Sequence, residues 1–101
     1  MAYALVYYYP GGTKEQYEAT VAAVDPVNAA DPSKNKLPEG QIFHAAGPST
    51  DGWTIIAVHD SQESWDRFNN DILMPRIQQG IAGGFSTPPQ ITTVDVYKLL
   101  P

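Results

Sequence analysis

An α+β fold of the order β-α-β-β-α-β is predicted by three observations on the sequence. Four runs rich in branched and aromatic residues end at Gly/Pro clusters, two stretches carry apolar residues at helical spacing behind a capping residue, and the two kinds follow one another in that order. This is the ferredoxin-like arrangement, a four-stranded antiparallel sheet of strand order 4-1-3-2 with both helices on one face. At 101 residues the chain is expected to form a single domain over residues 1–101.

Residues 2–9 (AYALVYYY) read as the first strand, stopped by Pro10-Gly11-Gly12. Apolar residues at both parities suggest a central strand buried on both faces. Thr13 and Gln16 form a capping box for the first helix, whose stripe is Tyr17, Val21 and Val24 and whose end is Asp25-Pro26. Residues 25–40, with Pro26, Pro32 and Pro38, lack periodicity and read as a connector. Residues 41–46 and 53–59 are the next two strands, joined by a six-residue hairpin connection over 47–52. Ser61 caps a second helix with the stripe Trp65, Phe68, Ile72 and Leu73. Pro75 breaks or kinks it, a short further turn runs through Met74, Ile77 and Ile81, and Gly83-Gly84 closes that turn. Residues 91–99 form the last strand. With both helices on one side, the other sheet face is left bare, and a second copy is the simplest cover.

Composition narrows the function. Lys plus Arg number 6 against 11 Asp plus Glu, a net charge of −5 with no basic run, which argues against nucleic acid and anionic membrane as partners. With 43% hydrophobic and 17% charged residues the chain is not of disordered composition. It contains no Cys, which removes disulfides, thiolate metal sites and a Cys nucleophile. No apolar run approaches a membrane span, and no basic segment precedes the first strand as in a secretion signal, so a cytoplasmic location is expected. Gly80, Gly83 and Gly84 lack the Lys and preceding strand of a phosphate loop, and no G-x-S-x-G occurs.

His44 and His59 are the two histidines. If Gly47 and Gly52 pair across the hairpin, His44 lies opposite Ile55, and Ile42, His44, Ala46, Trp53, Ile55, Ala57 and His59 share one face. The imidazoles then stand four positions apart, roughly 13 Å at about 3.3 Å per residue, too far for a direct dyad or a shared metal. A mid-strand His44 needs a fixed partner or a wet cavity. His59 lies at a strand end beside Asp60, where Tyr3 should approach it. Tyr7, Tyr8 and Tyr9 must divide between two faces, so at most two serve one pocket. Their phenols are suited to acid catalysis or to donating to an oxyanion. Asn69, a poor mid-helix residue beside Phe68, points to a side-chain role.

The run Gly52-Trp53-Thr54-Ile55-Ile56-Ala57-Val58-His59-Asp60-Ser61-Gln62-Glu63-Ser64-Trp65 followed by Phe68, with Leu37-Pro38-Glu39-Gly40 and His44-Ala45-Ala46-Gly47-Pro48, resembles the dimeric α/β-barrel superfamily. It is similar to small actinobacterial proteins of the antibiotic-biosynthesis-monooxygenase type. The haem-degrading branch uses an Asn on the first strand and a His on the second helix; both are missing here. The cofactor-free quinone-forming branch uses Asn and Trp, which Trp65 and Asn69 loosely echo. The resemblance implies a homodimer with one small-molecule pocket per subunit and no cofactor or metal. The function expected is cofactor-independent proton-transfer chemistry on an aromatic or polyketide-like substrate: isomerase, cyclase, lyase or monooxygenase. His44, Tyr7 and His59 are the candidate catalytic residues, and Tyr9, Trp53, Trp65, Phe68 and Asn69 the candidate substrate-binding ones. The alternative is a non-catalytic ligand-binding or stress-responsive barrel protein.

Overall fold

The fold rests on one sheet, seen in a computed structural model that describes residues 1–25 and 37–101. Most of the expected connector, with Pro26 and Pro32, lies outside the described residues. Strands β1 (Tyr3–Pro10), β2 (Gln41–Ser49), β3 (Gly52–His59) and β4 (Gln90–Asp95) form an antiparallel four-stranded sheet in the order β2-β3-β1-β4. That is the 4-1-3-2 order read from the sequence. Helix α1 (Lys14–Val24) follows β1, and α2 (Gln62–Phe68) follows β3. A π-helical turn over Asn69–Leu73 then leads into α3 (Met74–Gln79). The local signals act as expected. Thr13 Oγ1 accepts from Gln16 N while Gln16 Oε1 accepts from Thr13 N, completing the capping box, and Ser61 Oγ caps α2 by accepting from Ser64 N.

The core lies on one face. Leu5, Tyr7 and Tyr9 of β1 and Trp53, Ile55 and Ala57 of β3 are buried together, with Tyr3, Tyr17, Trp65 and Phe85 packed against them. Ala4, Val6 and Tyr8 are only half-buried, so β1 alternates instead of being sealed on both sides. The bare face is the reason: Phe43, Ile56 and Val94 remain 48%, 41% and 47% exposed. Tyr8 sits on that face, its hydroxyl donating to Thr50 O at 2.7 Å, while Tyr7 and Tyr9 point to the helices.

The last strand ends at Asp95 and not at Leu99, and three further features differ from expectation. The hairpin is tighter than the Gly47–Gly52 pairing implied: β2 continues through Pro48, Ser49 pairs with Gly52, and Thr50-Asp51 makes a two-residue turn. Asp51 takes the left-handed conformation (φ 56°), which Asp tolerates better than most residues, and its carbonyl accepts from Gly11 N at 2.8 Å. His44 therefore pairs with Ala57 and not Ile55, a shift of two that leaves it on the same face. The second difference is at Ile42, the extra residue of a β-bulge: Gln41 pairs with His59 and Phe43 with Val58. Ile42 is thereby expelled from the pocket face and left 50% exposed. Third, Pro75 stands in the first turn of α3, where its missing N–H costs little, and the helix ends at Gly80 (φ 84°), ahead of Ile81 and Gly83-Gly84.

Candidate active site

Helix α1 buries none of its residues. Tyr17, Thr20, Val21 and Val24 instead roof a cavity of about 160 Å³ whose floor is Tyr7, Tyr9, His44, Ile55 and Ala57. A second cavity of about 430 Å³ adjoins it, lined by Trp65, Asn69, Met74, Ile77, Phe85 and Ile91 among others. Tyr7, Tyr9, Thr20 and Leu73 belong to both walls, so the two are lobes of one helix–sheet cleft. The smaller lobe matches one aromatic ring, since a cavity of about 150 Å³ takes up benzene. The larger lobe falls in the size range of ordinary small-molecule sites. Tyr9 and Phe85 stack in parallel at 3.7 Å on its wall. The π turn helps shape the cleft by presenting both Asn69 and Leu73 to it, and such turns are frequent at functional sites.

A chain of hydrogen bonds runs from the smaller lobe into the sheet. Tyr17 Oη lies 2.6 Å from His44 Nε2, His44 Nδ1 is 2.9 Å from Gln41 Oε1, Gln41 Nε2 is 3.3 Å from His59 Nε2, and His59 Nδ1 is 3.4 Å from Ser64 Oγ. The amide of Gln41 gives this chain its direction, because its oxygen only accepts and its nitrogen only donates. With the amide in this orientation, His44 carries its proton on Nδ1 and accepts from the Tyr17 hydroxyl at Nε2. His59 accepts from Gln41 at Nε2 and donates from Nδ1 to Ser64. Both imidazoles are neutral in this scheme. Burial supports it: desolvation holds both histidine pKa values below 6.5, opposed at His59 by the adjacent Asp60 carboxylate. Burial likewise pushes the Tyr17 phenol above its ordinary value.

The bulge makes this chain possible. In an unbroken strand Gln41 and His44, three apart, would face opposite sides. The extra residue at Ile42 turns Gln41 onto the helix side opposite His59. Gly40 anchors the approach. It is left-handed (φ 84°), its carbonyl accepts from Asp60 N at 2.8 Å, and any Cβ there would collide with the Ser64 hydroxyl.

Of the candidate residues, His44, Tyr7, Tyr9 and Phe68 line the smaller lobe, and Tyr7, Tyr9, Trp65 and Asn69 the larger one. Tyr7 has no side-chain hydrogen-bond partner among the described residues. Burial, with a smaller contribution from neighbouring Tyr9, raises its pKa and keeps it a phenol. His59 is fully buried, flanked by the lobe-lining Trp65 and Phe68, and is linked to His44 by hydrogen bonds through Gln41. Its backbone pairs with Tyr3, as expected. Trp53 lines neither lobe; it packs on Tyr17 at 5.3 Å with its indole N–H buried and unpartnered. The register shift brings His44 opposite Ala57, two positions from His59 instead of the expected four, so the histidines, though not a direct dyad, are bridged by one intervening side chain. Gln41, Tyr17 and Ser64 were not legible as site residues from sequence. Among the described residues no three of His, Cys, Asp and Glu assemble as a metal site, and no helix is long and apolar enough to cross a membrane.

No family model matches the sequence, and no curated protein matches it. Solved structures do. Rv0793 from Mycobacterium tuberculosis superposes with a TM-score of 0.66 at 12% identity over 100% of both chains. A monooxygenase from the gene ActVA-Orf6 of Streptomyces coelicolor, in complex with the ligand Nanaomycin D, matches with a TM-score of 0.54 at 19% identity, over 99% of this chain and 91% of its own. The chain shares the fold of the ActVA-Orf6 monooxygenase. A conserved protein from Methanosarcina mazei Go1 also has this fold, with a TM-score of 0.59 at 11% identity over 93% of this chain and 91% of its own. These structures share with the chain a ferredoxin-like α+β architecture, and identities this low carry the fold and not the reaction.

Proposed function

We propose that the chain is a small-molecule enzyme that acts on an aromatic or polyketide-like substrate by cofactor-independent proton transfer. The observation that carries the reading is the 2.6 Å contact between Tyr17 and His44 at the wall of an apolar lobe. Both nitrogens of His44 are engaged, so the Tyr17 oxygen is the atom a ligand meets first. A phenolic or enolic hydroxyl in the smaller lobe donates to Tyr17 Oη. As its proton passes to that oxygen, the proton Tyr17 already holds passes to His44 Nε2. The products are a substrate anion and an imidazolium, with Tyr17 neutral throughout, in keeping with its raised pKa. Tyr7 donates to the anion, and the rest of the substrate extends along Tyr9, Phe85, Trp65 and Asn69 in the larger lobe. The anion then isomerises, cyclises, eliminates a group or reacts with dioxygen. The ActVA-Orf6 enzyme, a monooxygenase holding Nanaomycin D in the same fold, supports the last of these.

The test is a panel of hydroxylated multi-ring aromatics, followed by absorbance and oxygen uptake, on the native protein, Tyr17→Phe and His44→Ala. Both variants are expected to lose roughly 10²–10⁴-fold in turnover, the usual worth of a positioned acid–base group. The satisfied state of His44 favours one rival reading, a ligand-binding protein without turnover. Under that reading ligands raise the melting temperature of native protein and both variants alike, and no substrate is consumed.

A further inference from the structure

We propose that Gln41 is a positioning residue that holds His44 in the Nδ1–H tautomer, with the Tyr17 phenol donating to the opposite nitrogen and the buried His59 ring anchoring the far end of the Gln41 amide. The inference deepens the acid–base reading of Tyr17 and His44 and rests on it for its functional meaning.

The argument begins with what the base needs. To accept the Tyr17 proton, His44 must present a lone pair at Nε2, so its own proton must sit on Nδ1. An imidazole free in water favours the other tautomer, which would set an N–H against the Tyr17 oxygen and leave no base there. Gln41 Oε1, at 2.9 Å from Nδ1, accepts only and so selects the productive form. An amide can rotate end for end, and a rotated Gln41 would offer N–H to His44 Nδ1 and select the wrong form. The Tyr17 phenol, a much stronger donor than acceptor, opposes this by donating to Nε2 and leaving Nδ1–H in need of an acceptor, while the fully buried His59 and the Ser64 hydroxyl, which can donate or accept, satisfy the far end of the amide. Tyr17 against His44, and Asp60 beside His59, are the titratable groups facing the two rings. None supplies a competing acceptor to His44 Nδ1 among the described hydrogen bonds. Sequence features serve this one amide from three sides: the Ile42 bulge turns it inward, Gly40 leaves room for Ser64, and the Ser61 cap fixes the start of α2 beneath it. A glutamine kept merely for packing requires none of them.

The experiment is long-range proton–nitrogen correlation of the imidazole rings in isotopically labelled full-length protein, at about pH 8 where both rings are neutral. No substrate is needed, so its outcome is separate from that of the turnover assay. Native protein is expected to show both His44 and His59 as Nδ1–H tautomers. In Gln41→Glu the carboxylate accepts from both sides, so His44 is expected to stay Nδ1–H while His59 switches to Nε2–H. In Gln41→Met, similar in bulk but without either polar atom, the Nδ1–H to Nε2–H ratio at His44 is expected to fall about tenfold, the weight of one hydrogen bond. An Nε2–H His44 in native protein overturns the proposal, as does an unchanged His44 ratio in the Met variant or an unswitched His59 in the Glu variant. If the Met variant does not fold, the native and Glu spectra decide. Tautomers that behave as stated, beside unimpaired turnover in His44→Ala, sustain the positioning geometry and refute the acid–base use of it.

Discussion

His59 shows how much one side chain couples stability to solution conditions. Its ring and that of His44 are neutral and satisfied as they stand, and a proton added to either must displace a hydrogen bond or enter a dry site. Their pKa values are lowered on folding, so below 6.5 the unfolded chain binds more protons than the native one. The histidine contribution to stability is therefore complete above pH 6.5 and is lost as pH falls from there through the native values. Thermal melting is expected to be flat from about pH 8 to 7 and to decline steadily toward about pH 5, with a shallower decline in a His59→Gln, His44→Gln double variant. Equal slopes in the two proteins would mean that other groups govern the decline. At this scale the sequence was informative where a residue type was costly. A histidine at mid-strand demanded a partner or a cavity and has both. Tyr17 and Gln41, ordinary members of a helix stripe and a strand start, carried no such signal.

Elements were legible from their ends and illegible where their period slips. Thr13 with Gln16, and Ser61 ahead of the second stripe, fixed two helix starts because capping is read from neighbours in sequence. The Ile42 bulge and the Asn69–Leu73 π turn each insert one residue into a regular repeat, and no local composition announces either. Both lie at the cleft, which is why the fold could be read more fully than the site. The hairpin was misplaced because Gly47 and Gly52 look like its ends, whereas the turn is made by Thr50 and Asp51. The bulge has a counter-intuitive consequence. Deleting Ile42 leaves Gln41 opposite His59 and Phe43 opposite Val58 in a regular ladder, so the Gln41–His44 pairing is expected to survive with little change in melting temperature. Deleting Ala45 instead puts His44 out of phase, on the far face, and is expected to abolish ligand response. Tautomer spectra and ligand titration of the two deletions check this; a collapse of the His44 signal in the Ile42 deletion would count against the register.

The whole molecule is one-sided. Helices cover one face of the sheet, while Phe43, Ile56 and Val94 lie exposed across three strands of the other, with Val6 half-buried between Ile56 and Thr92. A row of exposed apolar side chains across adjacent strands marks an interaction surface. We propose that a second copy covers it, back to back, leaving each cleft on the outside of the pair. Sedimentation or light scattering is expected to give about twice 11.0 kDa at micromolar concentration. Ile56→Asp, on the face away from the cleft, is expected to give monomers that still bind ligand, though less stably folded. A native monomer would refute the dimer, and a dimeric Ile56→Asp would place the contact elsewhere.

The placement of the aromatic side chains also makes the cleft an optical instrument. The chain has two tryptophans. Trp65 lines the larger lobe and packs T-shaped against the His59 ring with centroids 5.4 Å apart, while Trp53 lies against the Tyr17 ring that roofs the smaller one. Indole emission shifts with local polarity and is quenched by a neighbouring imidazolium. With the other tryptophan replaced by Phe, each indole thus reports on one end of the cleft, Trp65 on the larger lobe and the charge of His59, Trp53 on Tyr17. No foreign dye is needed to follow a colourless ligand or a buried proton.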